Sequence, residues 1–160
     1  MSSEPWDDYA YTAQIVFCFL MRDGEILLIR RANEPYKGEI TIPGGRKKRG
    51  ESLRCACKRE MLEETGYILN RMEYAGILHA YRDGDSMEYL SHYFVCRDFE
   101  GELRESDEGE LLWTDAEESL RLPGIHPFYA ALFPRIRKGT LPVEVSVHLF
   151  SDGSCDCEVI

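Results

Sequence analysis

Three glutamates near the middle of the chain are the residues best suited to chemistry. Glu60, Glu63 and Glu64 are separated by three and four positions, so on a helix all three carboxylates project from one face. Arg59 lies one turn before Glu63. Carboxylates crowded in this way repel one another unless a cation sits among them. On a solvated helix face that repulsion costs only a few tenths of a kcal/mol, and the triad taken alone is equally compatible with such a face. Its flanks add to it. Pro43-Gly44-Gly45 is a turn whose glycines let backbone approach a ligand or offer a carbonyl to a metal. A hard, oxygen-rich donor set suits Mg²⁺ or Mn²⁺, which keep waters and share their coordination with substrate phosphates. Glu51 can pair with Arg59 and hold the carboxylates in place; the plainer alternative is a surface salt bridge worth under about 1 kcal/mol.

The elements around these residues can be read from pattern. Ser52 is a natural N-cap, the helix runs from Leu53 to about Thr65, and Gly66 stands where a left-handed C-cap belongs. Leu53, Cys57 and Met61 make one buried stripe. Upstream, a strand over 11–21 turns at Arg22-Asp23-Gly24-Glu25 into Ile26-Leu27-Leu28-Ile29. A loop with Pro35 and Gly38 leads to a short strand, Ile40-Thr41-Ile42, which Pro43-Gly44-Gly45 ends. Downstream, two strands over 72–81 and 87–99 flank the turn Asp83-Gly84-Asp85. The acidic stretch 100–110 reads as loop, and Leu111-Leu112-Trp113 as strand. Thr114 and Glu117 form a capping box for a short helix to about Arg121. Pro127 opens a last helix with Phe128, Leu132 and Ile136 on one face and a bend at Pro134. Val143, Val145, Val147 and Leu149 alternate as a half-buried strand, and Ser151-Asp152-Gly153-Ser154 turns it back. The expectation is one mixed α/β domain over residues 11–160 behind a mobile segment, residues 1–10.

Read as a pattern, Gly45, Glu51, Arg59, Glu60, Glu63, Glu64 and Gly66 follow the order glycine, five residues, glutamate, seven residues, then Arg-Glu-apolar-any-Glu-Glu-any-Gly-apolar. Seven such positions coincide by chance in roughly one sequence of this composition in 10⁵, which outweighs the solvated-face alternative. The pattern resembles the box of the Nudix hydrolases. Tyr67 at the last apolar position is a mild departure. The resemblance implies an α/β/α sandwich with a mixed β-sheet and a loop–helix–loop catalytic motif. It also implies Mg²⁺-dependent (or Mn²⁺-dependent) attack of water on a nucleoside diphosphate-linked substrate. Glu60 and Glu64 would be the firmest metal ligands, with Glu63 a ligand or the general base and the Gly45 carbonyl completing the site. Arg59 and Glu51 would support them. Arg30 or Arg31, together with Gly44, would contact substrate. In the acidic stretch Glu105-Ser106-Asp107-Glu108-Gly109, Glu108 lines up with a further ligand or base of the triphosphate-cleaving branch; a solvated acidic turn is the alternative.

The chain most resembles the mutator-type (MutT-like) triphosphatases. The acid pair that reads a purine in one branch is replaced here by Gly124-Ile125-His126-Pro127, where His126 suits capping or packing better than base contact. No proline occurs between Gly66 and Pro123, unlike ADP-ribose hydrolases. The coenzyme A signature is met at Leu27, Leu28, Arg31 and Ala32 but not at Tyr36 or Ile42. A dinucleotide or nucleotide-sugar hydrolase, or a non-catalytic nucleotide-binding module, remains the alternative.

Composition narrows the partners. The chain has 160 residues and a formal net charge of −10, which repels nucleic-acid backbones. It leaves room for a small anion beside concentrated positive charge; Arg46-Lys47-Lys48-Arg49 beside the box reads as such a patch, with a solvated loop or a localisation-type patch the alternative. The longest apolar run, 15–21, is too short to span a membrane, and acidic residues rather than basic ones precede it. The six cysteines read as free thiols of a reducing compartment: Cys55 and Cys57 would point to opposite sides of a helix, and Cys155 and Cys157 lack a second ligand pair for zinc. The expectation is a cytoplasmic monomer or homodimer with a small nucleotide substrate.

Overall fold

The computed structural model describes residues 9–160; most of the segment expected to be mobile lies outside them. Alternating apolar residues build β1 (Tyr11–Arg22) and β2 (Glu25–Arg31), which are joined at Asp23-Gly24. Two short strands follow, β3 (Ile40–Thr41) and β4 (Gly44–Arg46), then helix α1 (Leu53–Thr65). Long strands β5 (Tyr67–Arg82) and β6 (Met87–Gly101) come next, then β7 (Gly109–Asp115), a 3-10 turn (Glu118–Arg121), helix α2 (Pro127–Arg137), and β8 (Val143–Leu149) with β9 (Cys155–Val159). The strands line up as β3-β2-β1-β6-β5-β8-β9, with β4 added to β1 and β7 to β2. The sheet is mixed, since β1 and β6 run parallel, as do β5 and β8, while the remaining pairs are antiparallel. No helix among the described residues is long and apolar enough to cross a membrane.

The two-residue period of the strands sorts the core onto two faces. Val16, Cys18 and Leu20 of β1, Leu27 and Ile29 of β2, and Phe94 and Cys96 of β6 face α1, which contributes Ala56, Cys57 and Met61. The intervening Phe19, Ile26, Leu28, Tyr93 and Val95 face α2, which contributes Tyr129, Leu132, Phe133 and Ile136. Truncating a fully buried side chain such as Met61 removes roughly 2–5 kcal/mol, so the stripe on α1 seats the helix firmly. Cys55 is exposed and Cys57 buried, as two helix residues so spaced must be.

Several boundaries differ from the sequence reading. The Pro-Gly-Gly turn does not end strand structure: Gly44–Arg46 pair with 15–17 of β1. Strand β5 starts at Tyr67, five residues earlier than expected, because Tyr67 and Ile68 pair with Gly101 and Glu100. The Thr114/Glu117 capping box does not form. Pairing of Glu25 with Asp115 carries β7 past Thr114, and Asp115 Oδ1 accepts the N–H groups of Glu117 and Glu118 instead.

Candidate active site

Helix α1 is fixed at both ends by its sequence. Ser52 Oγ accepts the Cys55 N–H at 3.1 Å, and Gly66, at φ 79°, returns its N–H to Leu62. A side chain on Gly66 would strike the Glu102 carbonyl, so a glycine is needed there for space as well as for conformation. Between these caps Arg59 acts as a hub. Its Nε and Nη2 donate to Glu51 at 2.6 and 3.0 Å, its Nη1 to Glu60 at 2.7 Å and Glu63 at 3.2 Å, and Nη2 also to the Arg46 carbonyl at 3.0 Å. Glu51 additionally accepts the Lys48 N–H at 2.7 Å. One guanidinium therefore ties the basic loop to the helix. Hydrogen bonds from Arg59, with the Lys48 N–H, hold the Glu51 carboxyl down to about 2, and the same contacts with Glu51 and Glu60 raise the Arg59 pKa. The forked pairing with Glu51 requires a planar guanidinium.

Glu60 and Glu64, one turn apart, face the Gly44-Gly45 strand. Glu64 is 7 % exposed and accepts the Gly44 N–H at 3.2 Å. A Cβ on Gly45 would collide with the Glu60 carboxylate, so this glycine lets an acid lie directly on the backbone. Burial, then the charge of Glu60 and further that of Glu108, push the Glu64 carboxyl up to about 8, against the Gly44 hydrogen bond and Arg31. A buried acid among like charges, made entirely of hard oxygen donors, fits a Mg²⁺- or Mn²⁺-type cation. Among the described residues, no three His, Cys, Asp or Glu side chains form a ready-made metal cage, since Glu60 and Glu63 are drawn to Arg59.

The remaining predicted residues separate. Glu108 comes to the cluster although 44 residues beyond Glu64, because its loop is fastened to the end of β2. Ala32 N–H donates to the Glu108 carbonyl at 2.9 Å, and Asn33 Nδ2 donates to the Asp107 carbonyl at 3.1 Å. Gly109 follows at φ 157°, packed on the Arg30 carbonyl where no Cβ could fit. Arg31 lies within electrostatic range of Glu64 and donates through Nε to the Pro35 carbonyl at 2.9 Å. Arg30, its neighbour on the strand, instead pairs with Glu110 at 3.5 Å. Gly44, expected to contact substrate, donates its N–H to Glu64. His126 caps α2, its Nδ1 accepting the Phe128 N–H at 3.1 Å. Tyr36 and Glu39, which the sequence did not single out for binding, lie beside His126, with the Tyr36 ring 4.9 Å away edge-on and Glu39 Oε2 3.7 Å from Nε2. No local pattern announces this grouping.

The family model described as NUDIX domain matches residues 12–136. The chain is 32% identical over 111 residues to a CTP pyrophosphohydrolase of Escherichia coli, covering 69% of this chain and 81% of that one. It is 32% identical over 102 residues to an ADP-ribose pyrophosphatase of Methanocaldococcus jannaschii, covering 64% and 60%. In three dimensions it resembles a mutator MutT protein from Bacillus halodurans, with a TM-score of 0.81 and 26% identity over 92% of this chain and 97% of the other. The chain thus belongs to the Nudix hydrolases, with a MutT-like fold of helices on a mixed sheet.

Proposed function

We propose that this chain hydrolyses a nucleoside triphosphate to the monophosphate and pyrophosphate, using Mg²⁺ or Mn²⁺ held by Glu60, Glu64 and the Gly45 carbonyl. The buried Glu64 carboxyl, crowded by Glu60 and Glu108, is the observation that carries this reading: a carboxyl pushed up to about 8 is mostly protonated at neutral pH unless a cation sits beside it. When bound, the cation would acidify the attacking water and neutralise charge developing on the phosphates.

The chain's own groups do the rest. Arg59 holds Glu51, Glu60 and the loop at Arg46 in one frame, so the acids meet substrate without first having to be ordered. Arg31 supplies positive charge at the mouth of the site, where a phosphate would lie. Glu108 takes the proton of the water. It is preferred to Glu63 because its charge reaches Glu64, whereas Glu63 is bound to Arg59 and its side chain is 55% exposed. The basic residues Arg46, Lys47, Lys48 and Arg49 draw the polyanion in despite the net charge of −10. The likeness to a CTP pyrophosphohydrolase supports a triphosphate; the likeness to an ADP-ribose pyrophosphatase favours a nucleotide-sugar as second reading.

Incubation with Mg²⁺ and a panel of triphosphates, ADP-ribose and dinucleotides distinguishes the two by product. Pyrophosphate release from triphosphates supports the proposal. Turnover confined to ADP-ribose, or undiminished activity in Glu64→Gln, overturns it.

A further inference from the structure

A cleft of about 540 Å³ opens between Arg54, in the first turn of α1, and the strands β5 and β6. None of the residues assigned above to the metal, the substrate or the Arg59 frame lines it. Its size suits a small-molecule ligand. The cleft lies where the two strands fall out of step: their register shifts between Leu69 and Arg71 and again between Arg71 and Glu73. Such irregularities bend a ladder and re-aim its side chains. Met72 drops out of the register, and its carbonyl accepts Arg54 Nη1 at 2.6 Å. The Arg54 guanidinium also lies 5.3 Å from the centre of the Phe94 ring. It is therefore held in place before any ligand arrives, with Nε and Nη2 unspent.

Arg71 and Arg97 line the same cleft. Among the described residues neither forms an ion pair. Asp98, opposite Arg71 in the register, accepts Asn70 Nδ2 at 3.1 Å instead. Arg97 Nη2 reaches only the weak acceptor Met21 Sδ, at 3.9 Å. Three guanidiniums thus share one cavity in a chain whose formal net charge is −10. Their planar forks match the oxygens of a phosphate. Glu73 and Asp98 line the cleft as well, and carboxylates accept hydroxyl groups. A bare inorganic anion meets those two acids without reward, whereas a phosphate ester that carries hydroxyls satisfies both kinds of group.

We infer that this cleft binds a phosphate monoester with neighbouring hydroxyls, the chemistry shared by sugar phosphates and nucleoside monophosphates. Arg54, Arg71 and Arg97 take the phosphate, and Glu73 takes a hydroxyl.

Calorimetric titration of the full chain without added metal tests it, using ribose 5-phosphate, AMP, inorganic phosphate and ribose as probes. Ribose 5-phosphate should bind saturably and at least tenfold more tightly than inorganic phosphate or ribose. AMP binding at least as tightly as ribose 5-phosphate assigns the cleft to nucleotides, and weaker AMP binding assigns it to sugar phosphates; both outcomes support the inference. Arg71→Gln and Arg97→Gln, at exposed positions, should each weaken ribose 5-phosphate binding about tenfold while melting cooperatively. Arg31→Gln, at the mouth of the catalytic site, should leave that binding unchanged. No saturable binding, no preference over inorganic phosphate, wild-type affinity in both cleft variants, or loss of binding in Arg31→Gln overturns the inference. The titration needs no turnover, so its failure leaves the hydrolase reading standing, and a chain that hydrolyses nothing leaves the cleft's ligand standing.

Discussion

Replacing Glu64 with glutamine should stabilise the metal-free protein, increasingly so as pH rises. The folded carboxyl titrates at about 8 against 4.5 for an ordinary glutamate, so between those values the folded state holds a proton that the unfolded chain has released. Stability therefore falls as pH rises through this window: the favourable contribution is complete below about pH 4.5 and lost above pH 8. At 1.36 kcal/mol per pKa unit the full swing is on the order of 5 kcal/mol. Glutamine keeps an oxygen to accept the Gly44 N–H and carries no charge to oppose Glu60 and Glu108. Urea titrations in EDTA at pH 5, 7 and 9 measure the difference between the two proteins, and background titrations common to both cancel. The variant should match wild type near pH 5 and exceed it by several kcal/mol at pH 9. A pH-independent difference, or a less stable variant at pH 9, would refute the reasoning.

Arg59→Lys should lower kcat/KM by about 10- to 100-fold, because a lysine cannot make the forked contact with Glu51 while also holding Glu60 and the Arg46 carbonyl; steady-state kinetics checks it. Glu108→Gln should cost more in kcat than Glu63→Gln, by about 10² or more if Glu108 is the base, and the reverse order would reassign the base. Gly66→Ala should lower stability by more than about 1 kcal/mol, since φ is 79° and the Glu102 carbonyl blocks the Cβ; chemical denaturation reads this directly. EDTA should abolish turnover, and Mn²⁺ should restore it.

The box helix is legible in the sequence because what fixes it is local. Ser52 and Gly66 cap it, Cys57 and Met61 seat it, and Arg59 reaches partners within a few turns. The strand Gly44–Arg46 is not legible, since its glycines carry no apolar alternation and its existence rests on pairing with Ile15 to Phe17, about thirty residues away. The same holds for the early start of β5, where exposed Asn70 and Arg71 mask a strand that β6 supports. Thr114 and Glu117 have cap spacing, but pairing of β7 with β2 overrides it. At the site, spacing marks the acids yet not their division of labour. Only tertiary packing sends Glu64 inward to Gly44, leaves Glu63 outside with Arg59, and brings Glu108 across. The strand period separates Arg31, near Glu64, from Arg30, turned to Glu110. Glu39 and Tyr36 gather around His126 through loop closure at Arg31, which no sequence period encodes.

On the proposed function, Glu60 and Glu64 hold a divalent cation against the Gly44-Gly45 strand. Titration of the protein with Mn²⁺ at pH 7.5, following free ion by electron paramagnetic resonance, tests it most directly. Wild type should bind the ion, with affinity at least tenfold weaker in both Glu60→Gln and Glu64→Gln. Binding of equal strength in all three proteins, or none in wild type, would contradict the account.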